Sequence, residues 1–396
     1  MGRPVRRPGS PPVRGRLRPR LLEHPAGPGL PNRDRRAGPG KRLLACPVPG
    51  IRCEDDLGFR NRLPVSAPPS PPSGPRHPDP GIAATGSGGL FQTDEFGDWR
   101  AMVSPLPELN RLFADGETFV RINRNARGRD VFIIQPTVSP ADCIMELLLL
   151  IDAAVRASAA RVTAVVPYFG YGRQDRKDQP RVSIGAKLMA NLLVAAGADR
   201  LIGMDFHQHQ IQAFFDIPVD HLYAAPTLVS YFRSKTFEDL VVVAPDAGST
   251  KMARGFARRL DATIAIIDKR RPAANVSEVM NVIGDVRGKD CLLVDDMIDT
   301  AGTMSEAIKV LKKMGAKRVL AAATHPLLSG EAVDRLVASD IDEVVVTNTV
   351  KIPEERKFDG LKEMSVANIF AEAIRCVHEN TSVSKLFEDP RNNKGT

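Results

Sequence analysis

The chain has 396 residues, enough for two domains and a tail, and a formal net charge of +8 that is unevenly distributed. Of its 55 Lys+Arg and 47 Asp+Glu, 17 and 9 fall within residues 1–100, which leaves 38 of each and a neutral remainder. The basic balance thus belongs to the N-terminal stretch and gives no footprint for nucleic-acid binding by the rest; nor is there a run of eighteen apolar residues to span a membrane.

Residues 1–90 hold 19 Pro and 14 Gly with no collagen-like period. Such a stretch cannot bury enough apolar surface to offset its ordering entropy, so residues 1–95 are expected to form a disordered extension. Its Arg-rich start invites an organelle-targeting reading, but Pro and Gly at this density forbid the amphipathic helix such a peptide needs. The composition break also admits a functional start near Met102. The five cysteines, at 46, 53, 143, 291 and 376, show no paired or ligand-like spacing, which fits a reducing, cytoplasmic compartment.

From residue 113 onwards, strand and helix patterns alternate. The spacing predicts strands over 131–135, 162–167, 200–205, 240–244, 263–267, 292–296, 319–323 and 341–347. Between them it predicts a helix capped by Ser139 and running to 158, then helices over 184–196, 251–260, 305–314, 329–338 and 366–378. Strands separated by helical stretches imply parallel sheets covered on both faces, and two such sheets are expected, with a break near Tyr223.

In open parallel sheets, ligands bind beyond the carboxyl ends of the strands, and several polar clusters stand there. Pro167–Lys177, PYFGYGRQDRK, sets three aromatic side chains beside Arg173, Gln174 and further charges; this suits a purine and its phosphates, against the plainer reading of a solvated charge run. In MDFHQHQ, Asp205 and His207 could position a magnesium-bound nucleotide, while the alternate pair His207 and His209 lacks further ligands spaced to complete a zinc site. Asp246 in APDAGST lies among small residues that admit a ligand, or else caps the following helix. IDKRRP ends a strand in Lys269, Arg270 and Arg271, a cation group able to stabilise a phosphoryl transition state rather than merely decorate a loop. Finally, VDDMIDTAGT (Val294–Thr303) carries Asp295 and Asp296 at a strand end. Small residues, hydroxyls and backbone N–H groups then lead into a helix N-terminus, a phosphate cradle.

Taken in order, FADGE (Phe113–Glu117), PYFGYGRQDRK, DFHQHQIQAFFDIPVD, APDAGS, IDKRRP and VDDMIDTAGT resemble ribose-phosphate pyrophosphokinase over Phe113 to Glu388. The last run alone is shared with phosphoribosyltransferases; the ordered set is far more specific. The resemblance implies an α/β fold of two tandem phosphoribosyltransferase type I-like domains with parallel sheets flanked by helices. Residues 96–222 would form the ATP side and 223–396 the ribose 5-phosphate side. It implies transfer of the pyrophosphoryl group of ATP to the C1 hydroxyl of ribose 5-phosphate with Mg2+, in a homohexamer. Position by position, it implies that Asp115, Gly116 and Glu117 contact ATP bound by a neighbouring subunit, and that Arg173 and Gln174 hold ATP in their own. His207 and Asp246 match magnesium-associated positions, and Lys269 and Arg271 a catalytic pair on a flexible loop, with Arg271 also reaching ribose 5-phosphate. Asp295 matches a ribose-contacting acid, and Asp299, Thr300, Ala301, Gly302 and Thr303 match the 5-phosphate loop.

The chain also departs from that pattern. The family opens with a strand and a helix ahead of FADGE, whereas Gly81 to Arg111 shows neither a β-branched run nor a helical stripe. Gly is usual where Ala213 and Ser249 stand, and Ala where Gly172 stands; none of these changes removes a charged group. Two other function classes fit less well. A phosphoribosyltransferase needs half this length and no RQDRK segment, and a non-catalytic regulatory relative would not be expected to keep Lys269, Arg271, His207, Asp295 and Asp299.

Overall fold

The computed structural model of the protein describes residues 82–85, 103–105, 110–112, 115–123, 125–270 and 279–387. The chain divides into two units, Met1–Ser73 and Gly74–Thr396, and every described residue belongs to the second.

This unit begins with β1 (Ile82–Thr85), β2 (Val103–Pro105) and a separate antiparallel hairpin of β3 (Asn110–Leu112) and β4 (Thr118–Val120). Then follow β5 (Asp130–Ile134), α1 (Asp142–Arg156), β6 (Arg161–Val166), α2 (Gly185–Ala196), β7 (Arg200–Met204) and β8 (Val219–Leu222). Together they make a parallel sheet in the order β2-β1-β5-β6-β7-β8. After α3 (Ala225–Arg233), the chain continues through β9 (Val241–Ala244), α4 (Thr250–Leu260), β10 (Thr263–Arg270), β11 (Val279–Ile283), β12 (Asp290–Ile298) and α5 (Gly302–Lys313). It closes with β13 (Arg318–Pro326), α6 (Ala332–Val337), β14 (Glu343–Thr347), β15 (Leu361–Met364) and α7 (Ala367–His378). The second sheet runs β11-β10-β9-β12-β13-β14-β15.

Hydrophobic pattern explains the layering. Cys291–Val294 of β12 are all fully buried because β9 and β13 flank the strand and helices cover both faces, so each Leu there contributes about 1.5–3 kcal/mol. On α5 the buried residues Met304, Ala307, Ile308 and Leu311 recur at helical spacing and turn one stripe to that sheet. The facing sides of the two sheets share one apolar cluster, with Phe132, Ile202 and Met204 from the first and Val242, Leu292 and Leu320 from the second. Phe232 of α3 and Phe370 of α7 fill the space between. At its rim the Arg161 guanidinium pairs with Asp130 and donates to the Val377 carbonyl (3.0 Å), while His378 Nδ1 meets Asp130 Oδ2 at 3.1 Å. These contacts fix the first residues of β5 and β6 against the last turn of α7.

Three details qualify the expectations. The stretch 1–95, read as a disordered extension, contains β1, which pairs with β5 on one side and β2 on the other; main-chain pairing from both neighbours compensates for the weak strand signal of IAAT. The rest of that stretch lies outside the described residues. The sheets are not wholly parallel, because β11 runs antiparallel to β10 as a ribbon. The first helix starts at Asp142 with Ala141 at the N-cap and no side-chain cap, so Ser139 and Pro140 precede it.

Candidate active site

Sheet register places the predicted residues on one edge. Ala244, the last residue of β9, faces Ile266, and Val243 faces Leu293 of β12. Asp246 and Asp295 each stand two residues beyond those positions, towards the carboxyl edge: β9 has ended before Asp246, whereas β12 carries Asp295 opposite Ala323 and stays paired with β13 as far as Ile298. There a cleft of about 990 Å³ is lined by Arg173, His207, Asp246, Asp295, Asp296 and the whole loop Asp299–Thr303.

Two ion pairs join segments distant in sequence. Arg173 Nη1 donates to Asp299 Oδ2 at 2.6 Å, and His207 Nδ1 meets Asp296 Oδ2 at 2.8 Å. The Asp296 bond raises the His207 pKa above its ordinary value. Against the cost of burial, bonds from Ser329 and Arg173 hold Asp299 below the usual carboxylate range. Behind the loop, Arg335 Nη1 donates to the Thr300 carbonyl (3.1 Å). Ala301 adopts a left-handed conformation (φ 55°), so α5 starts on Gly302 with no side-chain cap. Its leading N–H groups and the positive end of its dipole therefore face the cleft unsatisfied by a side chain, the arrangement that receives an anionic oxygen group.

The acids opposite are crowded. Burial, then the charges of Asp296 and Asp246, push Asp295 up to about 7. Ser249 Oγ lies 3.0 Å from Asp246 Oδ1 and 2.9 Å from Asp295 Oδ1 and has one proton to donate, so it serves the two carboxylates in turn. Asp246 also accepts from the Ser249 N–H at 3.0 Å, which closes a turn ahead of α4 rather than capping the helix. Ser249→Ala is expected to lower stability by about 1–2 kcal/mol, read from the urea midpoint. An unchanged midpoint would show that the hydroxyl is not holding the two acids.

Comparison with known proteins agrees with this geometry. The family model for the N-terminal domain of ribose phosphate pyrophosphokinase matches residues 103–197, and that for the phosphoribosyl synthetase-associated domain matches residues 270–388. Over 287 residues the chain is 55% identical to the ribose-phosphate pyrophosphokinase of Gloeobacter violaceus, covering 72% of this chain and 86% of the relative. The chain belongs to the ribose-phosphate pyrophosphokinase family. A second ribose-phosphate pyrophosphokinase, from Caldanaerobacter subterraneus, is 56% identical over 277 residues, covering 69% of this chain and 88% of the relative. The crystal structure of phosphoribosylpyrophosphate synthetase from Mycobacterium smegmatis superposes with a TM-score of 0.70 at 41% identity, covering 76% of this chain and all of that one.

Asp115, Gly116, Glu117 and Gln174, which the resemblance assigned to this site, are not among the residues that line the cleft. Asp115, Gly116 and Glu117 are exposed just ahead of β4, where Asp115 Oδ1 accepts from the Glu117 N–H at 3.1 Å and Gly116 takes φ 92°. Gln174 packs against Gly185, and a Cβ added to that glycine would sit 2.5 Å from the Gln174 Oε1. Lys269 lies in β10 opposite Met280 of β11, three residues past the last position that pairs with β9. Arg271 lies outside the described residues.

Asp205, read from sequence as able to position a magnesium-bound nucleotide, is instead buried in a polar layer beneath the cleft, whose partners Thr324 and His325 sequence reasoning left unread. Asp205, at φ 37°, accepts from the Ala224 N–H (3.0 Å) and the Thr324 hydroxyl (2.7 Å), and its carbonyl accepts from His325 Nε2 (3.1 Å). That turn sets the direction of His207 two residues on. Next to it, His221 Nε2 accepts from the Phe206 N–H (3.1 Å), and its Nδ1 lies 3.1 Å from the Gln212 amide nitrogen, which also donates to the His209 carbonyl (3.0 Å). His209 leans over the same ring (5.1 Å between centroids), not toward a shared metal with His207.

Burial, then the charge of His209, hold His221 down to about 3. The unfolded chain therefore binds a proton near pH 6.5 that the folded chain refuses, and stability is lost as pH falls through the window from 6.5 to about 3. Asp205, pushed up to about 6 by burial, works in the opposite direction, so the two must be separated. Between pH 7 and pH 5 the stability difference between wild type and His221→Gln should shift by about 2 kcal/mol in favour of the variant. Parallel pH profiles by urea unfolding would contradict this.

Proposed function

We propose that this cleft transfers the pyrophosphoryl group of ATP to the C1 hydroxyl of ribose 5-phosphate, giving 5-phosphoribosyl 1-pyrophosphate and AMP. The observation that carries this reading is the 2.6 Å bond between Arg173 and Asp299, which brings the aromatic and cationic segment suited to ATP to the edge of the phosphate loop. The open N-terminus of α5 receives the 5-phosphate. Asp295, level with the strand end, holds ribose hydroxyls and leaves C1 directed at the nucleotide. The C1 hydroxyl oxygen then attacks the β-phosphorus and gives up its proton to solvent, the bond from that phosphorus to the α-phosphate oxygen breaks, and AMP departs with that oxygen. Lys269 and Arg271 meet the charge that spreads over the transferred oxygens, the main task left to protein in such a reaction.

The donor set suits Mg2+. Among the described residues no three His, Cys, Asp or Glu side chains form a closed metal nest, but Mg2+ is usually held through one or two carboxylates together with substrate phosphates. Crowded charge around Asp295 supports a site where a divalent cation is wanted. Asp246 would hold it, with His207 oriented by Asp296 beside it. A Mg2+ ion held there would supply neutralisation of phosphate charge. The exposed position of Asp115, Gly116 and Glu117 supports contact with the nucleotide of a neighbouring subunit in a homohexamer, in a cytoplasmic enzyme of nucleotide biosynthesis. No helix among the described residues is long and apolar enough to cross a membrane.

The test is a turnover assay with ATP, Mg2+ and ribose 5-phosphate. AMP release that depends on ribose 5-phosphate is the expected result. Turnover only with pyrophosphate and a nucleotide would indicate a phosphoribosyltransferase, and none at all a regulatory relative.

A further inference from the structure

Charge around the phosphate loop does not balance within the loop itself. Asp299–Thr303, DTAGT, contains a carboxylate and no cation, yet it is the segment that must receive a phosphate dianion. A helix N-terminus offers roughly half a positive charge, less than the Asp299 carboxylate removes. Arg335 reaches the loop from behind at the Thr300 carbonyl, but its guanidinium is already paired with Glu331 Oε2 at 3.1 Å. Arg173 is different. It lines the cleft, it comes from the loop after β6 in the other sheet, and its Nη1 touches Asp299 Oδ2 at 2.6 Å. One N–H on Asp299 leaves further donors of the planar guanidinium for a second anion alongside.

We propose, on the strength of the function above, that Arg173 is a binding residue for ribose 5-phosphate as well as for ATP, completing the phosphate loop across the two sheets. It cancels the Asp299 charge and offers its remaining N–H groups to the 5-phosphate, so its loss is felt by the sugar even when no nucleotide is present. A residue serving ATP alone would leave ribose 5-phosphate binding unmoved under that condition.

The experiment is titration calorimetry of the full-length protein with ribose 5-phosphate in the absence of nucleotide. Arg173→Ala should weaken binding about tenfold, the scale of one charge contact. The double variant Arg173→Ala with Asp299→Asn should recover part of that loss, because the uncompensated carboxylate is gone; a merely structural role for Arg173 would not be rescued this way. Wild-type affinity in Arg173→Ala, with only the KM for ATP raised, would overturn the proposal, and so would a double variant no tighter than the single one. Wild-type protein that binds no ribose 5-phosphate would instead sink the function reading, and this proposal with it.

Discussion

Lys269→Ala should lower kcat by about three orders of magnitude or more while leaving the thermal midpoint unchanged, since a cation placed on a transferring phosphoryl group is worth 10³–10⁵ in rate. The position follows from register. β10 pairs with β9 only as far as Ile266 and then continues with β11 alone, so the ribbon carries Lys269 past the sheet edge on the side where Asp246 and Asp295 stand. The pairs that join β10 to β9 all lie before that point, and the pair of Lys269 with Met280 is a backbone one, so the exchange spares both. Steady-state kinetics on the purified variant decide the matter: near-normal turnover would remove Lys269 from the chemistry, and a fall in both kcat and midpoint would make it structural.

Gly170→Ala should cost about 3 kcal/mol of stability and raise the KM for ATP. A Cβ at Gly170 would sit 2.0 Å from the Thr137 carbonyl oxygen. The two segments cannot simply part, because the Gly170 N–H donates to Thr137 Oγ1 (2.7 Å) and the Thr137 N–H donates to the Tyr168 carbonyl (2.9 Å). Those bonds dock the loop that presents Arg173, so separating them moves the guanidinium away from Asp299. Gly172 provides the control. An added Cβ there would lie 3.1 Å from the Phe169 carbonyl, a contact relieved by a shift of a few tenths of an ångström, and Gly172→Ala should cost under about 1 kcal/mol. Urea unfolding of both variants measures the contrast, and equal midpoints would contradict it.

What could be read from sequence followed the strength of the local signal. The apolar run Cys291–Val294 and the small-residue loop after it declared a buried strand and an anion site by themselves, and Gly197 marked the end of α2 by its left-handed φ of 109°. β8 escaped notice because VDHL shows no continuous apolar run: it is a sheet-edge strand whose Asp220 accepts from Arg200 at 2.6 Å. α3 escaped because it is nine residues long and is stabilised by packing Leu228 and Phe232 between the sheets, which no local pattern announces. The start of α5 was placed at Ser305, but the left-handed Ala301 lets the helix begin on Gly302 and brings its N–H groups into the phosphate loop.

The site shows the same division. Strand ends marked His207, Asp246, Asp295 and Asp299 singly. Their pairings were not legible, because Arg173 and Asp299 are 126 positions apart and His207 and Asp296 are 89 apart, and only the shared core between the sheets brings them together. Ser249, noted from sequence only as standing where Gly is usual, proves to be the hydroxyl that joins an acid just beyond β9 to one in β12.

The central claim is that one cleft holds both substrates so that two phosphoryl groups pass together from nucleotide to sugar. ³¹P NMR of a reaction containing the wild-type protein, ATP, Mg2+ and ribose 5-phosphate tests it most directly. The account predicts AMP and a pair of mutually coupled pyrophosphate resonances on C1 of the sugar, formed in equal amounts. Appearance of ADP with a sugar bearing a single new phosphate, or of free orthophosphate or pyrophosphate in place of the sugar diphosphate, would contradict it.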